Sequence, residues 1–145
     1  MRLPIEPRHV APRLATGAFI LNSGLSKRGV DEETAAQVHG MAKNTYPFLE
    51  KVRPAAFVRL LSAGEITLGA ALLLPAVPTV VAGAGLAAFS SALLGMYLRT
   101  PGMREEGSLR PTQEGLALAK DVWMLGVGVG FVVDELTRDR CRPGR

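Results

Sequence analysis

Glu65, Lys120 and Asp121 are charged residues set inside otherwise apolar stretches. A charge at membrane depth costs on the order of 3 kcal/mol unless it meets a partner or water. An acid and a lysine at compatible depth can neutralise each other, and the site they form can hold a polar headgroup, a quinone or a proton. The sequence therefore predicts a polar pocket of Asn22, Glu65, Tyr97, Lys120 and Asp121, with Glu65 paired to Lys120 and the others as hydrogen-bond partners. The alternative is an ion pair that fixes helix register and does nothing else. Asp121 follows Lys120 directly, so it points about 100° away on a helix and can instead face an interface.

Cysteine and histidine usage narrows the chemistry. Cys141 is the only cysteine and lies in a polar tail, which excludes an intrachain disulfide or a Cys-x-x-Cys shuttle. His9 precedes the first apolar block and His39 falls in a connecting segment, so no pair of membrane-embedded histidines could ligate haem and no metal-ligand spacing appears. No catalytic constellation, metal site or intrinsic cofactor is expected. Any electron transfer would need a partner or a bound quinone, and membrane lipid is the other expected ligand. The 17 Lys and Arg against 13 Asp and Glu are spread over termini and loops and form no nucleic-acid stripe.

The elements that must position these residues are apolar helices. Of the 145 residues, 48% are hydrophobic, and the mean hydropathy is positive, which is unusual for a soluble domain. The apolar residues collect in four blocks with charges between them, as expected when the solvent alternates between lipid and water. Residues 78–98 carry no charge, and a run of roughly 20 residues at ~1.5 Å each covers the ~30 Å hydrocarbon core. The reading is an all-α integral membrane four-helix bundle, a single domain over residues 1–145, with spans near 10–25, 55–74, 79–98 and 115–133.

The first block could be mistaken for a signal peptide, because Arg2, Arg8 and Arg13 resemble its basic region. No small-residue cleavage site precedes Lys27, and a retained span is favoured. Pro12 suits a first helical turn. In the first connection, Asp31-Glu32-Glu33 marks a helix start, and Val30, Ala35, Val38, Met41 and Ala42 share a face. This predicts a short interfacial helix with Tyr46, Phe48 and Leu49 as anchors, or else an ordinary solvated helix. The third span is rich in small residues, with Gly83 and Ala87, and Ser91 and Gly95, spaced four apart for close helix packing. Gly126 and Gly130 suggest the same in the fourth span, Trp123 reads as a packing or lipid-interface residue, and the tail from Asp134 is expected to fray. The tight turn at residues 75–78 places both termini on one side of the membrane, and the arginines at the start of the first span favour the cytoplasmic side.

The stretches Arg13-Leu-Ala-Thr-Gly17-Ala-Phe19, Gly24-Leu-Ser-Lys27, Gly64-Glu65-Ile-Thr-Leu-Gly69 and Lys120-Asp-Val-Trp-Met-Leu-Gly126 resemble the DoxX family of small bacterial membrane proteins. Pro101-Gly102-Met103-Arg104 and Ser108-Leu109-Arg110-Pro111-Thr112 look like actinobacterial members. The resemblance covers about residues 10–135. It implies a multi-pass four-helix bundle in the bacterial cell membrane, acting beside soluble oxidoreductases of thiol or sulfur metabolism. Two classes of function follow as expectations. One is a non-catalytic subunit or scaffold that recruits a redox partner. The other is a quinone-, lipid- or small-solute-binding or transport protein using Glu65 and Lys120.

Overall fold

A computed structural model describes residues 5–140; Cys141 lies outside the described residues. Four long helices dominate: α1 Pro7–Ser26, α3 Pro54–Leu73, α4 Thr79–Arg99 and α6 Asp121–Arg140. Between them lie α2 Glu32–Thr45 with a 3₁₀ turn Pro47–Lys51, and a single turn α5 Leu116–Ala119. There is no β-strand among the described residues, only an isolated bridge between Arg104 and Pro111 in the second connection. Three stretches are long and apolar enough to cross a membrane: Pro54–Leu73, Thr79–Arg99 and Leu116–Arg138. α1, with Arg8, His9 and Arg13, is not among them.

The polarity of α1 is inverted. Its buried residues are His9, Arg13, Thr16, Gly17, Ile20 and Gly24, spaced three or four apart, whereas Leu14, Phe19 and Leu25 are exposed. α1 begins at Pro7, so Pro12 lies inside the helix rather than in its first turn. It leaves one backbone carbonyl without its usual amide partner.

Arg13 explains how the α3–α4 turn is held. It is 1% exposed, and its guanidinium uses all its donors: Nε donates to Leu72 O at 2.8 Å, Nη1 to Val77 O and Thr79 Oγ1 at 3.0 Å, and Nη2 to Ala71 O at 2.8 Å and Leu74 O at 2.9 Å. The last carbonyls of a helix have no intrahelical partners and carry the negative end of its dipole, which a planar five-donor cation satisfies at several points at once.

The closest pairings are α1 with α3 and α4 with α6. Small residues set both. A Cβ on Gly69 would stand 2.6 Å from the Leu21 nitrogen, and one on Gly128 would stand 2.7 Å from the Ala87 nitrogen and 2.9 Å from Gly83 O. The expected packing of Gly83 and Ala87 is present, but their partner is Gly128; Gly126 and Gly130 face open space. Gly95 receives the Tyr46 ring, not another helix: the Tyr46 hydroxyl donates to Ala92 O at 2.8 Å. Gly128→Ala should therefore destabilise the detergent-solubilised protein by about 1–3 kcal/mol, the usual cost of overpacking. Gly126→Ala should be neutral or slightly stabilising in the same chemical melts, and equal losses would contradict this seam.

α2 begins as expected: the Asp31 carboxylate accepts from Thr34 N at 2.8 Å, with Glu32 and Glu33 in the first turn. Bonding to Thr34 holds the Asp31 carboxyl below its usual range, so this cap is intact at neutral pH and is lost only as pH falls through that lowered value. Ala35, His39, Ala42 and Thr45 are buried, and α2 packs chiefly on α3, with further contact to the 3₁₀ turn and α4. His39, expected in a connecting segment, sits in this helix with its ring edge-on to Phe57. Phe48 is 70% exposed.

The ends of the molecule are fixed by long-range pairs. Arg8 meets Asp134 at 2.7 Å and Arg138 meets Glu6 at 2.8 Å, joining the start of α1 to the end of α6. α6 thus continues through Asp134 to Arg140, where fraying was expected, because α1 supplies counter-charges. The α3–α4 turn, clamped by Arg13 near the start of α1, lies at this same end. The two longer connections lie at the opposite end.

Candidate functional site

At the connection end, α1 finishes against the middle of α3. Gly24 makes this possible: a Cβ there would stand 2.8 Å from the Ile66 nitrogen and 2.9 Å from the Glu65 Cβ. Ser62, one turn before Glu65, donates to Gly24 O at 2.7 Å and satisfies a carbonyl of the last turn of α1. The close approach delivers the C-cap of α1, Lys27, to Glu65.

Glu65 is 4% exposed and its partner is Lys27, not Lys120. Lys27 Nζ donates to both carboxylate oxygens, at 3.0 and 2.9 Å, and to Ser23 Oγ at 2.7 Å. Ser23 Oγ donates in turn to Glu65 Oε1 at 3.3 Å. The buried carboxylate is thereby neutralised and hydrogen-bonded, the condition under which a charge can stay at that depth.

The other residues expected in the pocket separate. Lys120 ends α5 at the break before α6 and is exposed; among the described residues its side chain makes no hydrogen bond or ion pair. Asn22 is exposed, because it lies one residue from Ser23 and points off the α1–α3 seam. Tyr97 is buried but serves the second connection, donating to Leu109 O at 2.7 Å. Asp121, the first residue of α6, is 6% exposed and lies within electrostatic range of both Glu65 and Lys27. The structure thus brings together Glu65 and Asp121 from the expected set and adds Lys27 and Ser23. Phe19 and Trp123 stack edge-on at 6.4 Å in the same half, with Trp123 partly exposed.

Beside this cluster is an open cleft of about 820 Å³, walled by Lys27, Arg28, Val30, Asp31 and Glu32 on one side and by Val58, Arg59, Ser62, Ala63 and Ile66 of α3 on the other. Its floor is apolar and its rim is charged. The side chains of Arg28 and Arg59 are exposed there and form no ion pair among the described residues. Asp31 is engaged by the Thr34 amide, and Lys27 by Glu65. Among the described residues of this half no nucleophile–base pair is assembled; the arrangement can neutralise an anion and bury an apolar chain. Compared with known proteins, the chain matches no family model, no curated protein and no solved structure.

Proposed function

We propose that this chain is a non-catalytic multi-pass protein of the bacterial cell membrane that binds an anionic amphiphile, a lipid-like molecule with a phosphate or carboxylate headgroup, in the cleft between α1, α2 and α3. The carrying observation is the cleft itself: two unpaired arginines, Arg28 and Arg59, above an apolar wall of Val58, Ala63 and Ile66. Arginine suits such headgroups because its planar fork binds two oxygens at once. The four-span bundle that this reading requires includes α1. Its exposed Leu14, Phe19 and Leu25, set against buried Arg13 and Thr16, are the pattern of a helix that faces lipid and hides its polar side.

Each basic residue near an anionic headgroup contributes about 1 kcal/mol, so Arg28→Gln with Arg59→Gln should weaken retention of phosphatidylglycerol by about 30-fold. Native mass spectrometry of protein extracted from membranes reads this directly, with phosphatidylcholine as the zwitterionic control. Equal phosphatidylglycerol retention by the double variant, or retention of a neutral quinone only, would overturn the assignment.

A second reading, a subunit beside a soluble redox partner, is favoured by two exposed apolar side chains on the connections, Phe48 and Leu109. It accords with the DoxX resemblance and predicts that Phe48→Ser with Leu109→Ser abolishes capture of a thiol oxidoreductase while lipid retention is unchanged.

A further inference from the structure

At the opposite end, His9 of α1 faces Asp134 and Glu135 of α6, and the ligand atoms of the three lie within 4.8 Å of one another. His9 is 4% exposed and packs edge-on against Phe131 at 5.2 Å. Its Nε2 meets Asp134 Oδ2 at 2.9 Å, and its Nδ1 is buried without a hydrogen-bond partner, 3.9 Å from Glu135 Oε1. In the neutral tautomer that donates from Nε2 to Asp134, Nδ1 presents a bare lone pair to a carboxylate oxygen. A buried, unpartnered Nδ1 facing a carboxylate oxygen is a pair of electron-rich atoms that a cation between them would satisfy. A carboxylate that orients a histidine through one ring nitrogen, leaving the other for an ion, is the usual outer shell of a metal site.

We infer that His9, oriented by Asp134, and Glu135 bind a divalent transition-metal ion that staples α1 to α6. The neighbouring charges leave room for it. Arg8 contacts only Asp134 Oδ2, through Nε at 3.2 Å and Nη2 at 2.7 Å, and Arg138 contacts Glu135 Oε1 at 3.2 Å and Glu6 Oε1 at 2.8 Å. Asp134 Oδ1 and Glu135 Oε2 keep their lone pairs free of these contacts. With His9 neutral, the acids Glu6, Asp134 and Glu135 outnumber Arg8 and Arg138, so the cluster carries net negative charge. Asp134 and Glu135 side chains are about a third exposed, which gives an ion an entry route from water. One imidazole with carboxylates suits Zn²⁺ or Mn²⁺ better than Mg²⁺, which prefers oxygen ligands and keeps its water. α1 and α6 pack sparsely, so an ion shared between them would tighten a weak seam of the bundle.

The test uses the full-length protein in detergent, free of any histidine tag and carrying Cys141→Ser so that the thiol cannot ligate. Saturating Zn²⁺ should raise Tm by about 5 °C, and Mg²⁺ should not. Competition with a chromophoric chelator should show Zn²⁺ affinity falling at least tenfold in Glu135→Gln and in His9→Phe, which keeps the ring packing on Phe131. Asp134→Asn should lose roughly 10–100-fold, the range for an orienting carboxylate. Mn²⁺ bound to the folded protein should lose its free-ion paramagnetic resonance signal in the parent and recover it in Glu135→Gln. Zn²⁺ affinity unchanged in Glu135→Gln and His9→Phe would overturn the site, as would stabilisation by acid with no response to Zn²⁺, which would make the cluster a proton staple.

Discussion

Replacing Arg13 with methionine should be among the most damaging single changes in this chain, lowering unfolding stability in mixed detergent by at least about 3 kcal/mol. A hydrogen bond to a charged group is worth about 1.5–3 kcal/mol, and each buried acceptor left without a donor adds a desolvation cost. Arg13 supplies the donors for the carbonyls of Ala71, Leu72, Leu74 and Val77 and for the Thr79 hydroxyl, so one substitution strips the whole α3–α4 turn. These bonds act as a unit, and the total falls short of their sum. Arg13→Lys should recover only part of the loss, because an ammonium has three donors radiating from one point and cannot reach acceptors arranged around a planar fork. A loss within about 0.5 kcal/mol for the methionine variant, the range of ordinary surface changes, would show that the turn holds itself.

α3 and α4 were legible to within a residue or two because their starts coincide with Pro54 and Pro78, and a long, largely apolar run opened by a proline has few alternative readings. The start of α1 and the end of α6 were not legible. Both are polar, and they persist because Glu6 and Arg8 meet Arg138 and Asp134, more than a hundred residues away, which no local pattern contains. The glycines of α6 illustrate a second limit. Gly126, Gly128 and Gly130 are equivalent in sequence, but a helix presents to α4 either Gly128 or the pair Gly126 and Gly130 on the opposite face, and the rotation that selects Gly128 is set by Met124 and Phe131 entering the core. The same limit separated Asn22 from Ser23. Neighbours on a helix diverge by about 100°, so knowing that polar groups gather near Glu65 does not say which of the two faces it.

Lys27 was hidden for a different reason, and the second large effect rests on it. Read as part of the polar connection after the first span, it lies in the structure at the C-cap of α1, one turn beyond Ser23, where Gly24 lets α3 close in. Lys27→Met should leave Glu65 buried with only the Ser23 hydroxyl and with Asp121 nearby, at a cost of about 3–5 kcal/mol, the usual penalty for orphaning one member of a buried pair. Glu65→Gln should cost less, because the partly exposed Lys27 can turn to water. The double variant should cost clearly less than the sum, with a coupling energy of about 0.5–3 kcal/mol, since no unpaired charge remains. Lys120→Met, exposed at the α5–α6 break, should change stability by less than about 0.5 kcal/mol and be additive with Glu65→Gln. A double-mutant cycle with all three positions separates the outcomes. Coupling of Glu65 to Lys120 in place of Lys27 would overturn the Lys27–Glu65 pairing that joins the end of α1 to α3.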